Sequence, residues 1–210
     1  MKKYVLSAIA AWSLAVACDS AISAAEKSIP FYSQNDSRWS AEKLGNSTDT
    51  IGMTTVNGKV VYGKGCALTS AAMILRYRGA SVDRAAVTPK NLNAWLIANG
   101  GFDGGQVRWQ KIADVDGPSG LTFVQRDASI NDVAQLKTRI DRGELLIIKT
   151  LRYGGHYVTV TGYVGSGTKL SDFRCLDSES QSATSQNMAD GAYKFSPTGP
   201  FVANVFTPNP

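Results

Sequence analysis

Apolar positions along this chain change their spacing at Gly143. Before it they recur mostly at helical intervals; after it they alternate or run on continuously. From Cys66 to Tyr77, apolar residues at Ala67, Leu68, Ala71, Ala72, Ile74 and Leu75 cover most of a helical circumference, which predicts a buried central helix stopping at Gly79. Thr88 and Pro89 open a second helix carrying Leu92, Trp95, Leu96 and Ile97 and ending at Gly100-Gly101. Val107, Trp109 and Ile112 predict a short third. Ser129 precedes a fourth, with Val133, Leu136 and Ile140 on one face and Gly143 after its end. Asn57-Gly58, between the apolar-rich runs 53–56 and 59–62, predicts a two-residue hairpin. Beyond Gly143, strands are expected over 145–150, 157–164 and 170–177, with two more around Tyr193-Lys194-Phe195 and over 201–206. This is an α+β pattern: a helical N-terminal half around one buried helix, and an antiparallel β-sheet in the C-terminal half.

The chain's 210 residues suffice for one domain with a sizeable core, expected over 26–210. Net charge is +5 and no Lys/Arg run exceeds two residues, so no nucleic-acid surface is expected. Lys2 and Lys3 precede an apolar run from Tyr4 to Ala17, and small residues follow to Ala25. That order reads as a secretory signal peptide over 1–25. The alternative is a lipoprotein signal acylated at Cys18, although the preceding Ala15-Val16-Ala17 lacks the usual leucine-like residue. The apolar run falls short of the ~20 residues that span a bilayer. The expected mature protein is exported, periplasmic or extracellular, monomeric, and without stable membrane insertion.

Removing the signal leaves Cys66 and Cys175, which an oxidising compartment could join as a disulfide. Against that reading, Cys66 sits between Gly63-Lys64-Gly65 and a helix, where backbone can approach a substrate. The single histidine, His156, follows Gly154-Gly155 at the mouth of an apolar strand. A catalytic cysteine–histidine pair brings a thiol from about 8.5 to roughly 3–4, a change of about 6 kcal/mol. A helix N-terminus contributes ~0.3–1 kcal/mol, or ~2 when partly buried. An imidazolium must therefore contribute most of the activation, and His156 is the sole candidate. Its second nitrogen needs an acceptor. Asp177 is the first choice, on a strand joined to that of His156 by a hairpin around Gly165-Ser166-Gly167; Asp172 is the competitor. Gln34 offers an uncharged donor for an oxyanion. Cys175, two residues before Asp177, is either a buried apolar-like residue or a redox partner able to bond Cys66. The Gly100–Gly105 glycines read as a mobile surface loop. The tryptophans Trp39, Trp95 and Trp109 read as core or cleft wall. With one histidine, no metal and no cofactor are expected.

Four blocks then stand in order: Ile29-Pro30-Phe31-Tyr32-Ser33-Gln34 through Trp39; Gly65-Cys66-Ala67-Leu68-Thr69-Ser70-Ala71-Ala72-Met73; Gly155-His156-Tyr157-Val158 with Thr161-Gly162-Tyr163; and Leu176-Asp177. Together they resemble the papain-like cysteine peptidases related to the double-glycine leader peptidases of bacteriocin exporters. The resemblance implies a two-lobed papain-like fold, with Gln34 in the oxyanion hole, Cys66 as nucleophile, His156 as base and then acid, and Asp177 as orienter. Relatives often carry Gly-Pro after the nucleophile, where this chain has Ala67-Leu68, and proline after the aspartate, where it has Ser178. Residues 45–62 look like an inserted hairpin able to cover the cleft. No transporter segments accompany the domain, so leader cleavage within an exporter is not carried over. The expected activity is a thiol hydrolase acting on peptide or protein substrates. Two alternatives stay open: a cell-wall amidase or peptidoglycan endopeptidase using the same thiol, and a non-catalytic peptide-binding module of the same fold.

Overall fold

A computed structural model describes residues 26–116, 121–196 and 199–209; the expected signal segment, 1–25, lies outside the described residues. The centre is a six-stranded antiparallel sheet in the order β11-β10-β9-β8-β12-β7. Its strands are β7 (Leu121–Ile130), β8 (Leu145–Thr150), β9 (His156–Tyr163), β10 (Phe173–Leu176), β11 (Gln186–Asn187) and β12 (Phe201–Pro208). Among the described residues four α-helices accompany it: α1 (Cys66–Tyr77), α2 (Pro89–Ala98), α3 (Trp109–Ala113) and α4 (Val133–Asp141). Three hairpins, β1-β2 (Thr54–Val56, Lys59–Val61), β3-β4 (Ser81–Val82, Ala85–Ala86) and β5-β6 (Phe102–Asp103, Gln106–Val107), decorate the helical part.

Alternation along β8 divides the core. Leu145 and Ile147 pack with α1, α2 and α3, while Leu146 and Ile148 pack on the other sheet face with Leu136 and Ile140 of α4. Helix α1 buries Leu68, Met73, Ile74 and Leu75 completely. Truncating any of these to alanine is expected to cost about 2–5 kcal/mol. Its N-cap, Gly65, contributes no side-chain hydrogen bond, so packing fixes the helix's place more than capping does. Two polar contacts tie α1 to the sheet: Ser70 Oγ donates to the Tyr157 carbonyl and Thr159 Oγ1 to the Ser70 carbonyl, both at 3.5 Å.

The α1 and α2 helices and the Asn57-Gly58 hairpin lie where the sequence pattern predicts them. Asn57 and Gly58 both have positive φ, as a tight hairpin turn requires. Several expectations are corrected. The fourth helix is capped by Asp132, whose carboxylate accepts from Gln135 N, because Ser129 is still in β7. β7 has no clear apolar pattern: Gln125, Arg126 and Asp127 are exposed on a strand at the sheet's edge, which among the described residues pairs with β12 alone. The strand expected over 170–177 is shorter. Leu170–Asp172 form a 3-10 turn, held by Asp172 Oδ2 accepting from Thr168 N and Lys169 N. Tyr193, Lys194 and Phe195 make no strand, since Lys194 has φ +54° and breaks the extended path. The Gly100–Gly105 stretch is no plain surface loop; it carries the β5-β6 hairpin and borders the cleft described next. No helix among the described residues is long and apolar enough to cross a membrane.

Candidate active site

Where the N-terminus of α1 meets the start of β9, a cleft of about 1000 Å³ opens, its walls including Gln34, Cys66, Trp109, Tyr157 and His156. Cys66 is the first residue of α1 and is half-buried. Gly63 and Gly65 serve the chain's own packing before any substrate. A Cβ at Gly63 would lie 2.4 Å from the Gly52 carbonyl oxygen, and one at Gly65 would lie 2.5 Å from that of Ile51. The 51–52 segment therefore presses directly on the approach to the thiol.

His156 is 4% exposed. Its Nε2 lies 2.6 Å from Asp177 Oδ1, which leaves Nδ1 for the Cys66 thiol on the same cleft. Burial opposes charge on the ring, but the interactions with Asp177 and Cys66 outweigh it and carry His156 from its ordinary 6.5 up to about 10. The imidazole is thus held as imidazolium across neutral pH. Asp177 lies one residue beyond β10 and is 3% exposed. Burial pushes its carboxyl up, but His156, the Glu179 N–H (2.9 Å) and Arg152 together hold it below the ordinary 3.8. Asp172 stands apart, in the 3-10 turn, and does not meet the histidine.

Four neighbours were not legible in advance. Arg152 Nη1 donates to Asp177 Oδ2 at 2.8 Å, so both carboxylate oxygens are engaged by cationic donors. Its Nη2 donates to Tyr153 Oη at 2.9 Å and lies 3.2 Å from Glu179 Oε2, near enough for charge attraction though out of line for a hydrogen bond. Tyr153, with φ +52°, turns the chain so that Arg152 folds back over the aspartate just before His156. Ser178 Oγ donates to Gln34 Oε1 at 3.2 Å. The signals available were the arginine close before Gly154-Gly155 and the polar Ser178-Glu179 directly after Asp177; neither is specific without the fold.

Cys66 and Cys175 are both free thiols. Cys175 is fully buried in the cluster on the α4 face of the sheet, across from α1, and burial pushes its thiol far up, keeping it protonated. The disulfide and the redox-partner reading weighed from the sequence are not what the fold holds. Its placement two residues before Asp177 misleads because the β9-β10 register shifts at Arg174/Cys175 and Asp177 has left the strand. His156, Asp177 and Glu179 are a group among the described residues whose ligand atoms, within 4.8 Å of one another, could reach one ion. Arg152 already places a cation against both carboxylates, which disfavours a second positive charge there.

A thiol and an imidazolium on one cleft wall, with a buried carboxylate bonded to the ring, are the parts of a thiol hydrolase. The model of the Peptidase_C39 like family matches residues 26–197. The chain belongs to that family. No curated protein and no solved structure matches it. Membership in the Peptidase_C39 like family supports a function of the cysteine peptidase type and an α+β fold of the papain-like kind, to which a few helices and a large antiparallel sheet conform.

Proposed function

We propose that this protein is an exported cysteine peptidase of two-lobed papain-like fold. Cys66 attacks the scissile carbonyl as thiolate. His156 gives its Nδ1 proton to the leaving amine and then takes one from the water that hydrolyses the thioester. Asp177 fixes the ring through Nε2 and stabilises the imidazolium. The Cys66 backbone N–H and the Gln34 side-chain amide are the donors for the tetrahedral oxyanion. The observation that carries this reading is that Cys66 and His156 line one cleft, with a 2.6 Å bond from the imidazole to Asp177 and Arg152 on that carboxylate's other oxygen. Export rests on the Lys2-Lys3 and apolar order of residues 1–25.

The test is the rate of iodoacetamide alkylation of Cys66 against pH, in wild type and in His156→Ala. Cys175 is buried and stays unlabelled in the folded protein. Fast labelling at mildly acidic pH that disappears in His156→Ala is expected. Labelling that rises only near a free thiol's value of about 8.5 and ignores His156 rejects the enzyme reading and favours a binding module. Incubation with labelled casein and with purified peptidoglycan then separates peptidase from cell-wall hydrolase; casein cleavage is expected.

A further inference from the structure

We infer that Ser178 is a positioning residue that sets which way the Gln34 amide faces, directing its N–H₂ into the cleft. The inference rests on the reading of Cys66 as nucleophile and Gln34 as oxyanion donor, and deepens it. A glutamine amide has two nearly equivalent orientations, and only one of them presents donors. Were Oε1 turned to the cleft, it would repel the developing oxyanion. What selects the orientation must therefore be a donor on the other side of the amide.

Ser178 is that donor. It has no accessible surface, Gln34 is 4% exposed, and the hydroxyl lies 3.2 Å from Oε1. With Oε1 occupied there, Nε2 remains for the cleft that Gln34 lines. The backbone reinforces the arrangement. Gln34 N donates to the Ser178 carbonyl at 2.7 Å, Ser33 Oγ reaches the same carbonyl at 3.3 Å, and Asn35 Nδ2 reaches the Glu179 carbonyl at 3.3 Å. Three consecutive residues, 33–35, are thus stitched onto residues 178–179. On the opposite side a Cβ at Gly52 would lie 2.1 Å from the Gln34 carbonyl oxygen, so only glycine lets that loop close over the segment. Asp177 and Ser178 are adjacent in the chain and serve two parts of one site: Asp177 turns to the imidazole and Ser178 to the amide.

The experiment compares Ser178→Ala, Gln34→Ala and the double variant with wild type, using labelled casein for kcat and KM and iodoacetamide for Cys66 reactivity. Alkylation of the thiolate forms no oxyanion and so reports on Cys66 and His156 alone. Removing an oxyanion donor costs about 10²–10³-fold in kcat. Loosening that donor in Ser178→Ala is expected to lower kcat roughly tenfold, with KM and the alkylation rate unchanged, and to add nothing in the Gln34→Ala background. Ser178→Thr and Ser178→Val, equal in size, isolate the hydroxyl and cover the case in which alanine leaves a destabilising void: the threonine variant should retain kcat and the valine variant should lose it. An active wild type with normal kcat in Ser178→Ala overturns this inference alone. So does a loss that alkylation shares, or one that persists undiminished in the Gln34→Ala background. A wild type that hydrolyses nothing and alkylates independently of His156 overturns the proposed function along with it.

Discussion

Neutralising Asp177 should release His156 from its imidazolium state, and the protein's single histidine makes this directly measurable. In Asp177→Asn the volume is kept while the negative charge 2.6 Å from Nε2 is removed. Two unit charges whose centres lie about 4 Å apart at an effective dielectric of ~20 attract by roughly 4 kcal/mol. At about 1.4 kcal/mol per pH unit this moves the imidazole midpoint by about three pH units. His156 should therefore fall from about 10 to about 7. The assay is the imidazole Cε1–H resonance followed by NMR from pH 5 to 11 in untagged protein, where one histidine gives one unambiguous signal. Wild type titrating near the ordinary 6.5, or Asp177→Asn still titrating near 10, would refute the reasoning. The same shift predicts a stability profile. His156 is raised on folding, so its contribution is complete below pH 6.5 and disappears as pH rises through about 10. The interval corresponds to about 5 kcal/mol at most. Asp177 is lowered on folding, so its contribution is complete above the ordinary 3.8 and is lost as pH falls through its depressed value. Urea midpoints should be highest between about pH 4 and 6.5, and wild type should lose more stability than Asp177→Asn on going from pH 6 to pH 10.5.

Two further outcomes follow from the neighbours. Arg152→Gln removes the donor on Asp177 Oδ2, so the carboxyl should titrate higher and the acid limb of kcat/KM should move to higher pH, with about 1–2 kcal/mol lost in denaturant unfolding. An unshifted acid limb would show that Arg152 does not act through Asp177. Cys175→Ala should leave kcat and Cys66 alkylation unchanged while costing about 1 kcal/mol of stability through the small cavity it leaves. A loss of activity without a loss of fold would return Cys175 to the site.

The sequence alone determined the parts whose information is local. The all-round apolar run ending at Gly79 specified α1, Thr88-Pro89 the start of α2, and Asn57-Gly58 a turn with two positive φ angles, because periodicity, capping and turn chemistry act over a few residues. One histidine and a glycine-flanked cysteine at a helix start narrowed the candidate chemistry before any fold was known. Tertiary structure decided everything that depends on residues far apart meeting. Strand β7 exists because β12 pairs with it, although its own middle is polar. The sequence preferred Asp177 over Asp172, and the fold set Asp172 aside by placing it in the 3-10 turn at Leu170–Asp172, away from the histidine that Asp177 meets. Cys175, close to the site along the chain, stays in β10 and packs in the cluster with α4, while Asp177 has left the strand and turns to the imidazole. Arg152 and Ser178 gain their partners only because a left-handed turn at Tyr153 and a 144-residue closure between Gln34 and Ser178 bring them there. Which residues can do the chemistry is written in side-chain identity; how each is oriented and charged depends on burial and long-range contacts, and those exist only in the folded chain.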